Sequence, residues 1–204
     1  MPVPYSVNLA RVFMKKIIEI RWHGRGGQGA KTAALLFAEA ALATGKYVQG
    51  FPEYGPERMG APVLAFNRLS DRQITLHCGI TDPQFVVVLD PTLINTVDVV
   101  SGLAEDGAII INTEKSPDEM RKKLNFKGKV YVVNASKIAL ESFGKAIPNT
   151  PMMGALVKVT NFLEIDGVLE DTKHKLEKKF ARKPEIIEGN IKSIKRAYDE
   201  VKGE

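Results

Sequence analysis

Cysteine is almost absent: Cys78 stands alone among 204 residues. An internal disulfide is therefore excluded, and the composition fits a reducing, cytoplasmic compartment. With no C-x-x-C, no iron–sulfur cluster or zinc ribbon belongs to this chain. Histidine is equally sparse. His23, His77 and His174 lie far apart and lack ligand partners at metal spacing, so no metal site is expected. No apolar run reaches membrane-spanning length. The first residues show no apolar segment ahead of a small-residue cleavage site, so a signal peptide is not expected. Neither G-x-S-x-G nor H-E-x-x-H occurs, which removes the common hydrolase signatures. The net charge of +5 is mild for this length. Without a nucleic-acid motif it does not argue for DNA or RNA, and a weak attraction for anions (a phosphorylated cofactor or an acidic protein partner) is its better use.

What is present is ordinary in bulk, with 44% hydrophobic and 26% charged residues, and long enough for one domain with a real core. Residues 1–13 read as an N-terminal extension and 14–204 as a single α/β domain, with C-terminal helices from about residue 151. Its centre is the stretch from Ile17 to Ala43. Ile18, Ile20 and Trp22 alternate with Glu19 and Arg21, which predicts a strand. From Ala30 an alanine-rich segment with Leu35, Leu36, Phe37 and Leu42 predicts a helix with a wide apolar face. Between them Gly24, Gly26 and Gly29 fit G-x-G-x-x-G, and Gly27 is a fourth glycine. Glycines here allow positive φ and close approach of an anion to the backbone. Unpaired N–H groups at the helix start, with the helix dipole, favour a phosphate. The same glycines also serve a tight turn that holds no ligand.

Beyond Gly45-Lys46, Tyr47 to Phe51 form a second strand. The span Pro52 to Pro62 holds Pro52, Pro56 and Pro62 with two glycines, which forbids a regular element and makes a loop suited to function. Val63 and Ala65 open a third strand, and Ile74 with Leu76 suggest a paired strand returning after Ser70-Asp71-Arg72. Phe85–Leu89, Ala108–Asn112 and Val130–Val133 are near-continuous apolar runs, the pattern of buried parallel strands. Helices are expected over Leu93–Leu103, from Ser116 with a capping box to Glu119, over Ala135–Phe143, over Pro151–Leu163, after Gly167 and from Pro184. Strands alternating with helices give a three-layer α/β sandwich, mostly parallel with an antiparallel part, and a helical tail. Met152 and Met153 read as packing.

Two familiar ligand readings fit poorly. Gly24, Gly29 and Lys31-Thr32 almost make a Walker A loop, but Ala30 intervenes and turns the lysine about 100° around the helix. A dinucleotide site expects an acidic residue roughly twenty positions past the loop, where Gln49-Gly50 stand instead. His23, beside the loop, is either a ligand contact or structural.

The loop Arg21-Trp22-His23-Gly24-Arg25-Gly26-Gly27-Gln28-Gly29-Ala30, together with Phe51-Pro52-Glu53-Tyr54-Gly55-Pro56-Glu57-Arg58-Met59-Gly60-Ala61-Pro62, resembles the gamma subunit of the 2-oxoacid:ferredoxin oxidoreductases. The resemblance covers roughly Lys16 to Leu163, including Val87–Leu93 and Asn149–Ala155. It implies a multisubunit enzyme that oxidatively decarboxylates pyruvate or a related 2-oxoacid, passes the acyl group to coenzyme A and reduces ferredoxin. The same resemblance implies alpha, beta and delta partner subunits that carry thiamine diphosphate, Mg and 4Fe-4S clusters. That agrees with the missing cluster cysteines here. No catalytic residue is expected in this chain. For coenzyme A it points to Gly24, Arg25, Gly26, Gly27, Gln28, Gly29 and Arg58, with Arg58 equally able to pair with Glu57 or a neighbouring subunit. A free-standing dinucleotide oxidoreductase and a purely architectural subunit remain the alternatives.

Overall fold

Alternating Ile and Trp build the first strand, β1 (Ile18–Arg25), and it runs further than the side-chain pattern suggests. A computed structural model of the chain describes residues 17–53 and 59–204. The expected extension over residues 1–13, and the middle of the proline loop with Arg58, lie outside the described residues. Strand β1 continues through Gly24 because its antiparallel partner β3 (Pro62–Ser70) pairs Gly24 with Val63 and Arg25 with Pro62. Ladder pairing thus overrides a glycine's low strand preference.

The remaining strands are β2 (Tyr47–Pro52), β4 (Phe85–Val88), β5 (Ala108–Asn112), β6 (Lys129–Val133) and a short β7 (Lys202–Gly203). They form one seven-stranded sheet in the order β2-β3-β1-β4-β5-β6-β7. Pairing is parallel from β1 through β4 and β5 to β6, and antiparallel where β3 meets β1 and β2 and where β6 meets β7. The expected antiparallel part is present, but Ile74 and Leu76 do not form it. Both edges of β3 are already taken by β2 and β1, so a strand returning from the turn cannot pair with β3. Residues 71–84 instead run as irregular chain, held in part by Gln49 Nε2 donating to the Leu76 carbonyl at 2.9 Å.

The apolar runs bury both faces. Val87 and Ile110 join the core under helices α1 (Ala30–Ala43), α3 (Ala135–Phe143) and α4 (Asn149–Thr160). Val86, Val88, Ile109 and Ile111 join a second core with Leu93, Val99 and Met120. This gives the three layers expected of the sequence. Helix α2 (Pro117–Leu124) closes the second face and starts on the predicted capping box. The Glu119 amide donates to Ser116 Oγ at 3.2 Å, and the Ser116 amide donates to Glu119 Oε2 at 3.0 Å.

A helix over 93–103 is not formed; a 3₁₀ turn (Pro91–Asn95) is followed by irregular chain. Val97, Val99 and Val100 are poor helix formers, Gly102 is left-handed at φ 70°, and the carbonyls of Val99 and Ser101 accept from Arg21 instead.

The tail consists of α4, α5 (Ile165–Phe180) and α6 (Pro184–Glu200). Helix α5 starts before Gly167, and α4 starts at Asn149 rather than Pro151. Met152 and Met153 are fully buried in the first core. Gly154 lets α4 and α6 touch: a Cβ there would lie 2.1 Å from the Ile194 carbonyl oxygen. Thr150 Oγ1 donates to Asn190 Oδ1 at 2.8 Å across the same contact.

Candidate functional site

The chain leaves β1 to build β2 and β3 on one side, then returns to place β4 on the other. The carboxyl ends of β1 and β4 therefore bracket the point where strand order reverses, the usual place for a ligand crevice in an open α/β sheet. A cavity of about 1090 Å³ opens there, lined among others by Arg25, Gly26, Gly27, Gly29, Lys31 and Pro62.

The glycine loop is short, Gly26 to Gly29, and two of its residues need glycine. Gly27 has φ 96° and Gly29 φ 81°, a region that penalises a side chain. Gly29 is also crowded: an added Cβ would lie 2.7 Å from Asn149 Nδ2. Asn149, the first residue of α4, thus backs the loop from the C-terminal helices. Gly29 caps α1 with no side-chain hydrogen bond, so the amides of the first helical turn face the cavity edge without an intrahelical acceptor. Gly26 is different. Its N–H donates to the Ala61 carbonyl at 2.9 Å, and its own carbonyl accepts from the Gly60 amide at 3.2 Å. The glycine loop and the end of the proline loop are therefore tied side by side.

Asp90, just past β4, holds the other side. Its Oδ2 accepts from Arg25 Nε at 3.1 Å and Gln28 Nε2 at 2.8 Å. Its Oδ1 accepts from the amide and hydroxyl of Thr92 at 2.9 and 2.6 Å. Burial pushes the Asp90 carboxyl up, but bonds from Thr92 and Gln28, with Arg25 beside it, outweigh this and hold it below the usual carboxylate value. Gln28 closes the bracket by accepting from the Arg25 amide through Oε1 at 2.8 Å. Arg25 also donates to the Gly60 carbonyl at 3.0 Å and to Thr92 Oγ1 at 2.9 Å.

Of the residues singled out in the sequence, Arg25, Gly26, Gly27 and Gly29 line the cavity. Gln28 faces inward to Arg25 and Asp90. Gly24 lies in β1, where a Cβ would come within 3.1 Å of Ala30 Cβ. Arg58 is outside the described residues. Sequence reasoning passed over Asp90, although Asp-Pro-Thr is a recognisable capping signature. It also passed over Asn149 and Arg21, whose roles depend on long-range contacts with no local signal.

Deeper in the cavity the face of β1 that carries Arg25 continues with His23 and Arg21. Arg21 Nε donates to His23 Nε2 at 3.0 Å, so the neutral imidazole carries its proton on Nδ1. Burial, then the Arg21 charge, pulls His23 down to about 3. Among the described residues no His, Cys, Asp and Glu cluster suits a metal ion, and no helix is long and apolar enough to cross a membrane.

The family model for pyruvate ferredoxin/flavodoxin oxidoreductase matches residues 19–200. The match passes Leu163, where the motif resemblance ended, and takes in α5 and the whole of α6. The pyruvate synthase subunit PorC of Thermotoga maritima is 49% identical over 190 residues, covering 92% of this chain and 96% of that protein. A crystal structure of pyruvate oxidoreductase subunit PORC from the same organism matches with a TM-score of 0.81 at 48% identity, covering 93% and 99% of the two chains. The pyruvate/ketoisovalerate oxidoreductases common subunit gamma of Pyrococcus abyssi is 48% identical over 187 residues, 90% of this chain and 96% of that one. The fold also recurs in 2-oxoglutarate:ferredoxin oxidoreductase from Magnetococcus marinus, solved with 2-oxoglutarate, coenzyme A and succinyl-CoA bound. There the TM-score is 0.72 at 21% identity, over 91% of this chain and 31% of the other.

Proposed function

The chain belongs to the pyruvate ferredoxin/flavodoxin oxidoreductase family as a gamma-type subunit, and from that premise we propose that it supplies the coenzyme A-binding edge of the assembled enzyme. The reaction decarboxylates pyruvate or a related 2-oxoacid, sends the electron pair to ferredoxin and transfers the acyl group to the coenzyme A thiol. Thiamine diphosphate, Mg and 4Fe-4S clusters belong to the alpha, beta and delta partners, and they supply the decarboxylation and electron-transfer chemistry. This chain's part is binding and orientation.

One observation carries the reading: a helix N-terminus whose cap residue Gly29 has no side chain to close it, entered through left-handed Gly27 and Gly29, opens on a large cavity at the sheet's reversal point. Such an end offers convergent N–H groups and a positive dipole to a diphosphate. The Arg25–Gln28–Asp90 bracket and Asn149 fix the loop so that little ordering is needed on binding. Arg25 keeps N–H capacity on its outer nitrogens and, with Arg58, offers forked contacts to a second phosphate.

The architectural alternative draws on a different observation. Arg25 and Gln28 are already engaged inside the protein, as expected of a loop that only shapes a subunit contact. Hydrogen–deuterium exchange on the assembled enzyme separates the two. Coenzyme A is expected to protect the segment 26–32, and no added protection there at saturating coenzyme A would favour architecture alone. The isolated chain is expected to be colourless and to oxidise no 2-oxoacid, and ferredoxin-dependent turnover by the single chain would contradict the division of labour.

A further inference from the structure

Arg21 is a buried cation that the glycine-loop reading does not use. It is 7% exposed, and among the described residues no carboxylate forms an ion pair with it, whereas Arg25 and Arg68 have Asp90 and Glu19. Its Nη2 donates to the carbonyls of Val99 at 3.2 Å and Ser101 at 2.5 Å, and its Nε to His23. Nη1 has no partner among the described residues, and the side chain lines the cavity. His23 is 5% exposed and lines it too. With Nε2 accepting from Arg21, its Nδ1–H is left as a donor.

Carbonyl dipoles solvate a guanidinium but bring no counter-charge, and a buried charge without one is costly. Strand alternation puts Arg21, His23 and Arg25 in a row on one face of β1. The row leads from the interior to the mouth, where only the outermost cation has its carboxylate. Around the inner pair the lining is largely apolar, with Leu64, Leu93 and Val97. This strengthens any charge contact made there. Asp98 also lines the cavity, but its Oδ1 accepts from the Val100 amide at 3.2 Å, and the carboxylates of Asp98 and Asp82 act on Arg21 only from beyond ion-pair distance.

We propose that Arg21 Nη1 and His23 Nδ1 form an oxyanion subsite inside the cavity, separate from the glycine loop, that takes a phosphate-type group. The group is either the 3′-phosphate of coenzyme A, a source that rests on the function proposed above and leaves Arg25 and Arg58 to the diphosphate, or the phosphate of a separate ligand.

The test is NMR of the ¹⁵N-labelled full-length chain, following the His23 ring nitrogens and the Gly27 and Gly29 amides. Inorganic phosphate, coenzyme A and dephospho-coenzyme A are titrated at constant ionic strength. Inorganic phosphate is expected to move the His23 nitrogens saturably. Arg21→Gln is expected to weaken that response about tenfold, as loss of a charged hydrogen bond does. Movement of His23 by coenzyme A but not by dephospho-coenzyme A identifies the 3′-phosphate. Movement by inorganic phosphate alone, persisting with coenzyme A bound, identifies a separate ligand. If neither phosphate nor coenzyme A moves His23 while coenzyme A moves Gly27 and Gly29, the subsite is overturned and the coenzyme A reading stands. If phosphate moves His23 but coenzyme A leaves the glycine amides untouched, the subsite stands without coenzyme A as its source, and exchange on the assembled enzyme decides the loop reading separately. The wild-type titrations decide the matter even if Arg21→Gln does not fold.

Discussion

The two faces of β1 have the same backbone and opposite fates. On one face Ile20 and Trp22 are fully buried against α1 and the C-terminal helices. Trp22 packs edge-on to Phe37 at 6.4 Å between ring centroids, and its Nε1 donates to Asn67 Oδ1 at 2.8 Å. On the other face Arg21, His23 and Arg25 meet a cavity. The closed face carries stability. The open face carries polar groups that the fold leaves only partly answered, and in the proposed function a ligand completes them. Substitutions on the two faces should therefore separate stability from binding.

The largest effect is expected on the closed face. Trp22→Ala removes a buried aromatic and leaves Asn67 Oδ1 without its donor, which should cost about 3–5 kcal/mol by urea denaturation. If stability barely changes, the closed face is not the anchor described here.

Next comes His23. Its folded value of about 3 lies below the 6.5 of an unperturbed imidazole. Between those values the unfolded chain binds a proton that the folded chain refuses, so stability rises with pH there. His23 makes no such contribution to the slope above the upper value. The acid limb should carry a slope of up to about 1.4 kcal/mol per pH unit from this group. His23→Gln, which retains an acceptor for Arg21, should flatten that limb. An unchanged limb would show that the ring protonates in the fold.

The smallest effect is at the mouth. Asp90→Asn keeps the shape but loses the charge opposite a partly exposed Arg25, and should cost about 0.5–1 kcal/mol. Because Asp90 is held below its ordinary value, that contribution is present at neutral pH and fades as pH falls below about 4. A loss at neutral pH of several kcal/mol would mean that the bracket anchors the fold rather than the loop.

Much of this was legible in the sequence because the signals are local. The valine and isoleucine runs mark buried strands. Ser116, Pro117 and Glu119 mark a helix start that the structure reproduces bond for bond. Gly26 to Gly29 mark the strand-to-helix turn. What local signals missed depends on partners far along the chain. Strand β1 outlasts its alternation because β3 pairs with it to Arg25. The apolar stretch 93–103 reads as a helix until Arg21, 78 residues away from Val99, takes its carbonyls. Ile74 and Leu76 look like a strand returning beside β3, but β2 and β1 already hold both edges of β3. Asn149 stands ahead of the helix expected from Pro151, and only the fold puts it behind Gly29. The site is thus half local motif and half long-range support.

The central claim is that the entrance to α1 binds coenzyme A, and the helix carries its own control. Gly27 and Gly45 flank its two ends with φ 96° and 79°, and neither would place a Cβ within 4 Å of another group. Gly27→Val and Gly45→Val therefore impose similar backbone strain, on the order of 1–2 kcal/mol, at opposite ends of one element. The decisive measurement is the coenzyme A dissociation constant of the assembled enzyme carrying each variant. The account predicts a weakening of at least about tenfold for Gly27→Val, equivalent to ~1.4 kcal/mol, with Gly45→Val at the wild-type value. Equal affinities for both variants, in complexes that assemble normally, would contradict it.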